Sequence, residues 1–549
     1  MGGRTQAPAV RLAGGVLLLS FFKLWLVHGE DIYGSATWFD ALWYLRSARS
    51  WYWGEPYSWA AFIRPAAYPL WIALVHAAGI SLRFAAEVLY LSGYVVLIIA
   101  LRRAGASVAL CLTIYALAIL HPASFIMNGY TMADTFYGAV LPLVVGGLIL
   151  TLLTRRKLHT LWTGIVLAVL WNTREESVLV LCIFAAFAAL AFMRARSAGE
   201  NWLRVIPPVA VMCGVAAALI FALYAANART FGSYARSAMS APSFVSAYKA
   251  LLSIRPAEVK RFVPVTRATR RLAYEASPSF AKLRPHLEGE VGRRWEVNTF
   301  QSYGIPEEIS AGLMVWALRN AADAAGQHAS PGKAERFYKR MTREIDRATR
   351  DGKVPRRPVW AGPLDPAAMR WLPYVPQSFA RMSGFFFAVY QPLARHDDPI
   401  LTAEERSLYS EMTGRRGDGA EKPARLQRAL GAAHPYFVIG LSPAAAFLLV
   451  ARRVRGARIS LADPRTVAMT LLLVTIVSRL TLFAVLDATS WSCQQLRYIF
   501  PVLPLYSALL LLAVWRPWRR TELNTSELSA IPALVHPDET HSGSARAKG

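Results

Sequence analysis

Long apolar runs, separated by polar segments, recur along the sequence. A helix needs about 20 predominantly apolar residues to cross the roughly 30 Å hydrocarbon core of a bilayer. Strands of a membrane barrel would instead alternate in short segments, so the pattern predicts an all-α polytopic membrane protein. We place about ten transmembrane helices at 10–27, 84–101, 106–121, 136–153, 159–171, 177–193, 205–225, 434–451, 466–487 and 498–515.

A further apolar stretch, AAYPLWIALVHAAGI at 66–80, decides how the spans are oriented. If it crosses the membrane, every later group of Lys and Arg moves to the outer side. If it lies flat, these groups face the cytoplasm together with the N-terminus, as the positive-inside rule requires. Because the stretch is short and contains Pro69, we expect an interfacial helix in the first outer loop. The basic groups concerned are 102–103, 155–157, 194–204, 452–458 and 516–520.

This topology divides the chain into four parts and leaves both termini in the cytoplasm. A transmembrane module is predicted at 1–227, and a mainly helical extracytoplasmic segment follows at 228–433. Transmembrane helices return at 434–520, and the polar tail 521–549 is predicted to be disordered. We expect the plasma membrane of a bacterium as the location, with any active site on the extracytoplasmic face.

Charge and cysteine content narrow the class of partner. A formal net charge of +26 would suggest a nucleic-acid partner in a soluble protein. Here much of the Lys and Arg flanks apolar runs, so we predict contact with membrane lipids and no nucleic acid. No P-loop or dinucleotide fingerprint occurs. The four cysteines have neither disulfide nor metal-ligand spacing, and Cys493, in the last outer loop, is expected to be accessible to water.

Ionisable residues gather at the predicted outer ends of the spans, where a charge usually faces a cavity or a partner. Asp40 stands in WFDALWYLRSARSW, whose aromatic residues indicate a helix along the membrane interface. Asp134 begins a span, and WNTREES lies between two spans. The alternative for each candidate is a structural role in a salt bridge or at the interface, and Asp134 could instead stabilise a helix start.

Several outer motifs stand in a recognisable order. The first outer loop reads DALWYLRSARSWYWGEPYSWAAFIRPAAYPLWIALVHAAG, and LRRAG, LHPASF, NTREE and RYIFPVLPL follow in turn. Together they resemble the GT-C superfamily of polyprenyl-phosphate-sugar-dependent glycosyltransferases, in particular its protein O-mannosyltransferase and lipid A aminoarabinose transferase branch. The likeness covers about 1–225 and 434–515. The doubled acidic pair of the family is absent, because Phe39 precedes Asp40.

The resemblance implies a GT-C-type fold and transfer of a sugar from a polyprenyl-phosphate carrier to an acceptor hydroxyl. The transfer would occur outside the membrane, with inversion at the anomeric carbon, and the acceptor could be a lipid, a glycan or a protein. No cofactor and no metal are expected, because a divalent metal belongs to the oligosaccharyltransferase branch. The competing interpretations are a lipid-linked sugar transporter or flippase and a non-catalytic membrane assembly protein.

The resemblance also implies roles for the outer charges. Asp40 is expected to act as general base on the acceptor, and Asp134 to orient the acceptor or a basic partner. Arginine forks suit a phosphate leaving group, so Arg174 is expected to bind the donor phosphate, fixed by Glu175 or Glu176. The full set of substrate-binding candidates is Arg64, Arg174, Glu175, Glu176, Arg479, Arg497 and Tyr498.

Overall fold

A computed structural model describes residues 3–34, 38–197, 199–255, 258–359, 366–391, 402–415, 424–454, 460 and 463–515. Within these ranges the chain is helical, with isolated β-bridges and no strand. Among the described helices, eight are long and apolar enough to cross a membrane. The predicted class of helical multi-pass membrane protein is therefore confirmed for the described part of the chain. The predicted tail 521–549 lies outside it.

The N-terminal helices follow the predicted spans closely. Two predicted spans, 106–121 and 159–171, correspond to apolar helices of only 12 and 15 residues, which rise about 18 and 22 Å. The expected short helix in the first outer loop is present as α3 and packs on α2. These helices are α1 (Gly3–Leu26), α2 (Trp38–Arg49), α3 (Ala67–Ala77), α4 (Leu82–Arg103), α5 (Val108–Ile119), α6 (Pro122–Met127), α7 (Ala133–Thr154), α8 (Lys157–Trp171), α9 (Ser177–Ser197) and α10 (Ile206–Phe231).

Helix α7 lies at the centre of the bundle, and almost all of its residues are buried. Its contact with α4 is close because glycines stand where the two helices cross. A Cβ atom at Gly93 would lie 2.4 Å from the carbonyl oxygen of Ala139, and one at Gly146 would lie 3.0 Å from the backbone N of Leu97. Small residues permit this close approach between membrane helices. The crossing fixes the position of α7 and thus of the charged residue in its first turn.

The segment between α10 and the next long apolar helix, named the outer segment after its predicted side of the membrane, packs in two regions. Its first region shares a core with the first outer loop, where the rings of Phe62 and Phe231 stack at 4.9 Å. Its second region joins the core of the bundle through residues such as Met382 and Tyr409. The helices are α11 (Pro242–Ser253), α12 (Arg267–Ala276), α13 (Pro278–Ala281), α14 (Arg284–Leu287), α15 (Glu290–Tyr303), α16 (Ala311–Ala324), α17 (Pro331–Arg350), α18 (Pro366–Met369), α19 (Val375–Gly384) and α20 (Ala403–Thr413).

The C-terminal helices complete the bundle. The last of them is entered through a short helix and a 3₁₀ turn at Phe500–Val502, which together form one apolar segment. Pro501 and Pro504 stand at the start of the turn and of the final helix, where a missing N–H costs little. The helices are α21 (Arg425–Val454), α22 (Pro464–Thr489), α23 (Leu496–Ile499) and α24 (Leu503–Val514).

A group of paired charges is buried between α1, α4 and α6. Lys23 and Glu87 are fully buried, with 3.8 Å between Nζ and Oε1. Glu87 also accepts hydrogen bonds from Arg83 at 2.6 Å and from Asn128 at 3.1 Å, and Arg83 donates to Glu30 at 2.8 Å. Each charge therefore has an opposite partner, which offsets the high cost of a charge inside the bundle. The group fastens the first helix to α4.

Candidate functional site

Asp40 lies in the first turn of α2, and its carboxylate accepts a hydrogen bond from Nη2 of Arg64. The loop that presents Arg64 contains Phe62 at a φ of 61°, a conformation that costs a non-glycine residue about 1–3 kcal/mol. The carbonyl of Phe62 accepts from the backbone N–H of Ala238 at 2.6 Å, so the outer segment holds the loop in this shape. Nη1 of Arg64 lies 3.8 Å from Oε1 of Glu175.

The turn between α8 and α9 holds Arg174 between two carboxylates. Nε of Arg174 donates to both carboxylate oxygens of Glu176, at 2.8 and 2.9 Å. Nη1 of Arg174 pairs with Asp134, in the first turn of α7. The glutamate that fixes Arg174 is thus Glu176, whereas Glu175 turns towards the first outer loop.

The C-terminal helices supply the remaining charges. Arg479 is buried on α22, where its Nε donates to the backbone carbonyl of Tyr498 and its Nη1 lies 3.8 Å from Oε2 of Glu176. Nη2 of Arg497 donates to the hydroxyl of Tyr498 at 2.9 Å, and its Nη1 lies 3.9 Å from Oδ2 of Asp40. All nine residues that the sequence singled out therefore belong to one connected group, the charged network.

Exposure falls from the rim of the charged network to its centre. The side chains of Glu175 and Asp40 are 35% and 19% exposed. Those of Asp134 and Arg479 are 3% and 1% exposed. Asp40 is therefore partly accessible to solvent, whereas Asp134 is enclosed and pairs with Arg174.

Arg236 is a site residue that the sequence analysis missed. It follows α10 in the outer segment, and it is 9% exposed. Its guanidinium donates to the backbone carbonyls of Trp171 at 3.4 Å and Glu175 at 3.0 Å, which bracket the turn that carries Arg174. Neither a span nor a motif flanks Arg236 in SYARSAMS, so no local sequence signal distinguished it.

The electrostatics of the charged network favour an anionic ligand. With Arg236, five guanidinium groups stand among four carboxylates, an excess of one positive charge within this group of described residues. Burial raises the pKa of the Glu176 carboxyl, but Arg174 and Arg479 outweigh burial and lower it. Burial lowers the pKa of the Arg174 guanidinium, but Asp134 and Glu176 outweigh burial and raise it. Both groups are charged at neutral pH.

Replacement of Arg236 by Met should loosen the WNTREES turn. The change removes two hydrogen bonds that a charged group donates. Each such bond contributes about 1.5–3 kcal/mol to stability. Amide hydrogen exchange of residues 172–176 should accelerate by roughly 10- to 100-fold if local opening controls it. Arg229→Met removes a similar but exposed side chain near the end of α10 and should leave these amides unchanged. Equal exchange in the two variants would contradict this role for Arg236.

Cys493 is buried, so the expectation that water reaches it was wrong. Its backbone N–H donates to Oδ1 of Asp487 at 2.9 Å, and its thiol donates to the carbonyl of Trp491 at 3.3 Å. The last outer loop folds back on the end of α22. The hydrophobicity pattern of so short a loop does not indicate such a tertiary contact. A topology measurement must therefore use other positions.

Neither a metal site nor similarity to a known protein identifies the function of the chain. Among the described residues, no group of three or more His, Cys, Asp or Glu side chains is arranged to hold a metal ion. No protein-family model matches the chain, and no similar curated protein was found.

Proposed function

We propose that the protein is an integral-membrane glycosyltransferase of GT-C type, which transfers a sugar from a polyprenyl-phosphate carrier to an acceptor hydroxyl. The observation that carries the proposal is the convergence of acids and arginines from four separate outer segments and α22 into one charged network. The one excess positive charge, once Arg236 is included, suits the binding of an anionic ligand, and the partly exposed carboxylates at the rim suit contact with an acceptor hydroxyl.

The arginines suit a lipid-linked phosphate. Nη1 and Nη2 of Arg479 are buried and make no hydrogen bond within the described residues. Their nearest carboxylate oxygen, on Glu176, stands 3.8 Å away, beyond hydrogen-bond distance. A phosphate oxygen would give these N–H groups an acceptor, and guanidinium groups match phosphate geometry in pairs. Arg174, Arg479 and Arg497 would therefore stabilise the charge that develops on the departing carrier phosphate.

Asp40 is suited to act as the general base. In the proposed step, its carboxylate takes the proton of the acceptor hydroxyl while the acceptor oxygen attacks the anomeric carbon. The bond from that carbon to the phosphate oxygen breaks, and the polyprenyl phosphate leaves with the electron pair. Asp40 pairs with Arg64 through one carboxylate oxygen, and Nη1 of Arg497 lies 3.9 Å from the other. The proposed base therefore stands next to an arginine that is proposed to bind the donor phosphate.

The proposed side of the membrane is extracytoplasmic. Helix α7 runs from Asp134 in the charged network to Thr154 at the opposite end of the bundle. The next residues, Arg155, Arg156 and Lys157, are exposed there, as Arg102 and Arg103 are at the end of α4. Exposed basic residues at one end and paired, buried ones at the other match a cytoplasmic and an outer end, respectively.

Engineered cysteines test this orientation. Ser302→Cys, exposed on α15 of the outer segment, should react with an impermeant thiol reagent in intact spheroplasts. Ser197→Cys, exposed at the basic end of α9, should react only after permeabilisation. The native cysteines give a low background, because two are buried and two lie on the apolar helices α9 and α10. Labelling of Ser197→Cys alone in intact cells would reverse the orientation.

Proteoliposomes with radiolabelled polyprenyl-phosphate sugars test the function. Transfer of label to an added acceptor, lost in Asp40→Asn, would support the glycosyltransferase. Movement of the labelled lipid between leaflets without transfer would identify a flippase. Neither transfer nor movement with any donor would favour a non-catalytic assembly protein and overturn the proposal.

A further inference from the structure

Three tryptophans form a cluster beside Arg64, the residue that pairs with Asp40. The indoles of Trp43 and Trp316 stack with 5.0 Å between ring centroids, and Trp59 meets Trp43 edge-on at 5.5 Å. The guanidinium carbon of Arg64 lies 4.8 Å from the ring of Trp316 and 5.9 Å from that of Trp43. We call these three residues the indole cluster. It stands beside the exposed rim of the charged network.

The outer segment supplies one indole of the cluster and holds the backbone of another. Trp316 belongs to α16, whereas Trp43 and Trp59 belong to the first outer loop and its helix. Arg319, also on α16, donates to the backbone carbonyl of Trp59 at 2.8 and 3.3 Å. Arg319 of α16 thus fixes the backbone that carries this indole.

The surroundings of the cluster match the surface of a sugar ring. A pyranose has apolar C–H faces and a rim of hydroxyl groups, so it requires a flat aromatic partner together with hydrogen-bond acceptors. Trp59 and Trp316 are partly exposed and supply indole surface. Asp40 and Glu175, both partly exposed and both close to Arg64, supply the carboxylate acceptors. An acyl chain would use the indoles but would make no use of these partly exposed carboxylates.

We infer that the indole cluster is a carbohydrate-binding subsite and that it holds a pyranose ring of the acceptor. The assignment of this ring to the acceptor rests on the proposed function. The donor phosphate is assigned to Arg174, Arg479 and Arg497, which make no ring contact with the indole cluster among the described residues. A ring on the indole side presents its hydroxyl to Asp40, so the acceptor is a glycan or a glycolipid. The outer segment therefore contributes to acceptor recognition through Trp316.

Saturation-transfer NMR tests the subsite without any donor. The full chain in nanodiscs is mixed with a panel of methyl pyranosides, and saturation should concentrate on the C–H protons of one ring face. Trp316→Leu should clearly reduce this signal, and Trp316→Phe should retain it. Trp371→Leu, which removes a partly exposed indole elsewhere in the outer segment, should leave it unchanged. If Trp316→Leu does not fold, Trp59→Leu takes its place.

The outcomes separate this inference from the proposed function. Absence of saturation in the wild type, or equal saturation in Trp316→Leu, overturns the subsite whether or not the enzyme transfers sugar. The pyranoside with the strongest signal then serves as acceptor in the transfer assay. There Trp316→Leu should raise the acceptor KM by roughly 3- to 10-fold, the range of one aromatic contact, with the donor KM unchanged. A rise in the donor KM alone would give the subsite to the donor sugar and overturn the acceptor assignment.

Discussion

Asp40→Asn should lower turnover by roughly 10²-fold or more while donor binding and expression stay near the wild-type level. The amide keeps the size of the side chain and can still accept a hydrogen bond from Arg64, but it cannot take the acceptor proton. Arg64 does not lose all of its negative surroundings, because Glu175 lies 3.8 Å away. Turnover at saturating donor, donor affinity and thermal unfolding of the purified variant are the measurements required.

Asp134→Asn is the matched control for this prediction. Asp134 is almost fully enclosed and pairs with Arg174, so its loss should reduce turnover less, and Asp134→Ala should mainly reduce stability. An active Asp40→Asn together with a folded but inactive Asp134→Asn would require the two roles to be exchanged.

Arg174→Ala should weaken use of the donor by about 2–4 kcal/mol, or roughly 30- to 1,000-fold in kcat/KM. The variant loses the guanidinium that joins Asp134 to Glu176. It leaves those carboxylates with only the more distant arginines for compensation, so some loss of thermal stability should accompany the loss of activity. Arg174→Lys should recover part of the activity, because it restores the charge but not the paired N–H groups.

The control for Arg174 must separate chemistry from folding. Glu176→Gln keeps the arginine and removes only the carboxylate that orients it, so donor use should fall less than in Arg174→Ala. Kinetics are compared among variants whose unfolding temperatures have been measured. Wild-type donor kinetics in a folded Arg174→Ala protein would remove phosphate binding from the role of this residue.

Span positions and the charged ends could be read from the sequence, because each depends on local composition. An apolar run of sufficient length predicts a membrane helix wherever it occurs. The positive-inside rule then assigned Asp40, Asp134, Arg174 and Arg497 to one end of the bundle, and these residues meet there. The buried pair of Arg83 and Glu87 was not predicted, although opposite charges four residues apart at the start of an apolar helix are a signal for it.

Pairings between distant segments could not be read in the same way. Which glutamate of WNTREES faces Arg174 depends on the turn between α8 and α9, and the sequence left both possibilities open. Arg236 and Trp316 reach the site from an outer segment that matches no family model, so neither a motif nor a span indicated them. The burial of Cys493 likewise follows from a loop that folds back, which depends on tertiary contacts.

The buried pair of Lys23 and Glu87 links the fold to the order in which the chain is made. Lys23 lies near the end of α1, which is synthesised before α4, the helix that carries Glu87. Until then the ammonium group must remain near the aqueous boundary, because an unpaired charge in the hydrocarbon is costly. Helix α1 therefore reaches its final position in the bilayer only after α4 has been synthesised. A nascent chain that stops before Leu82 holds its first helix less firmly in the membrane than the finished protein does.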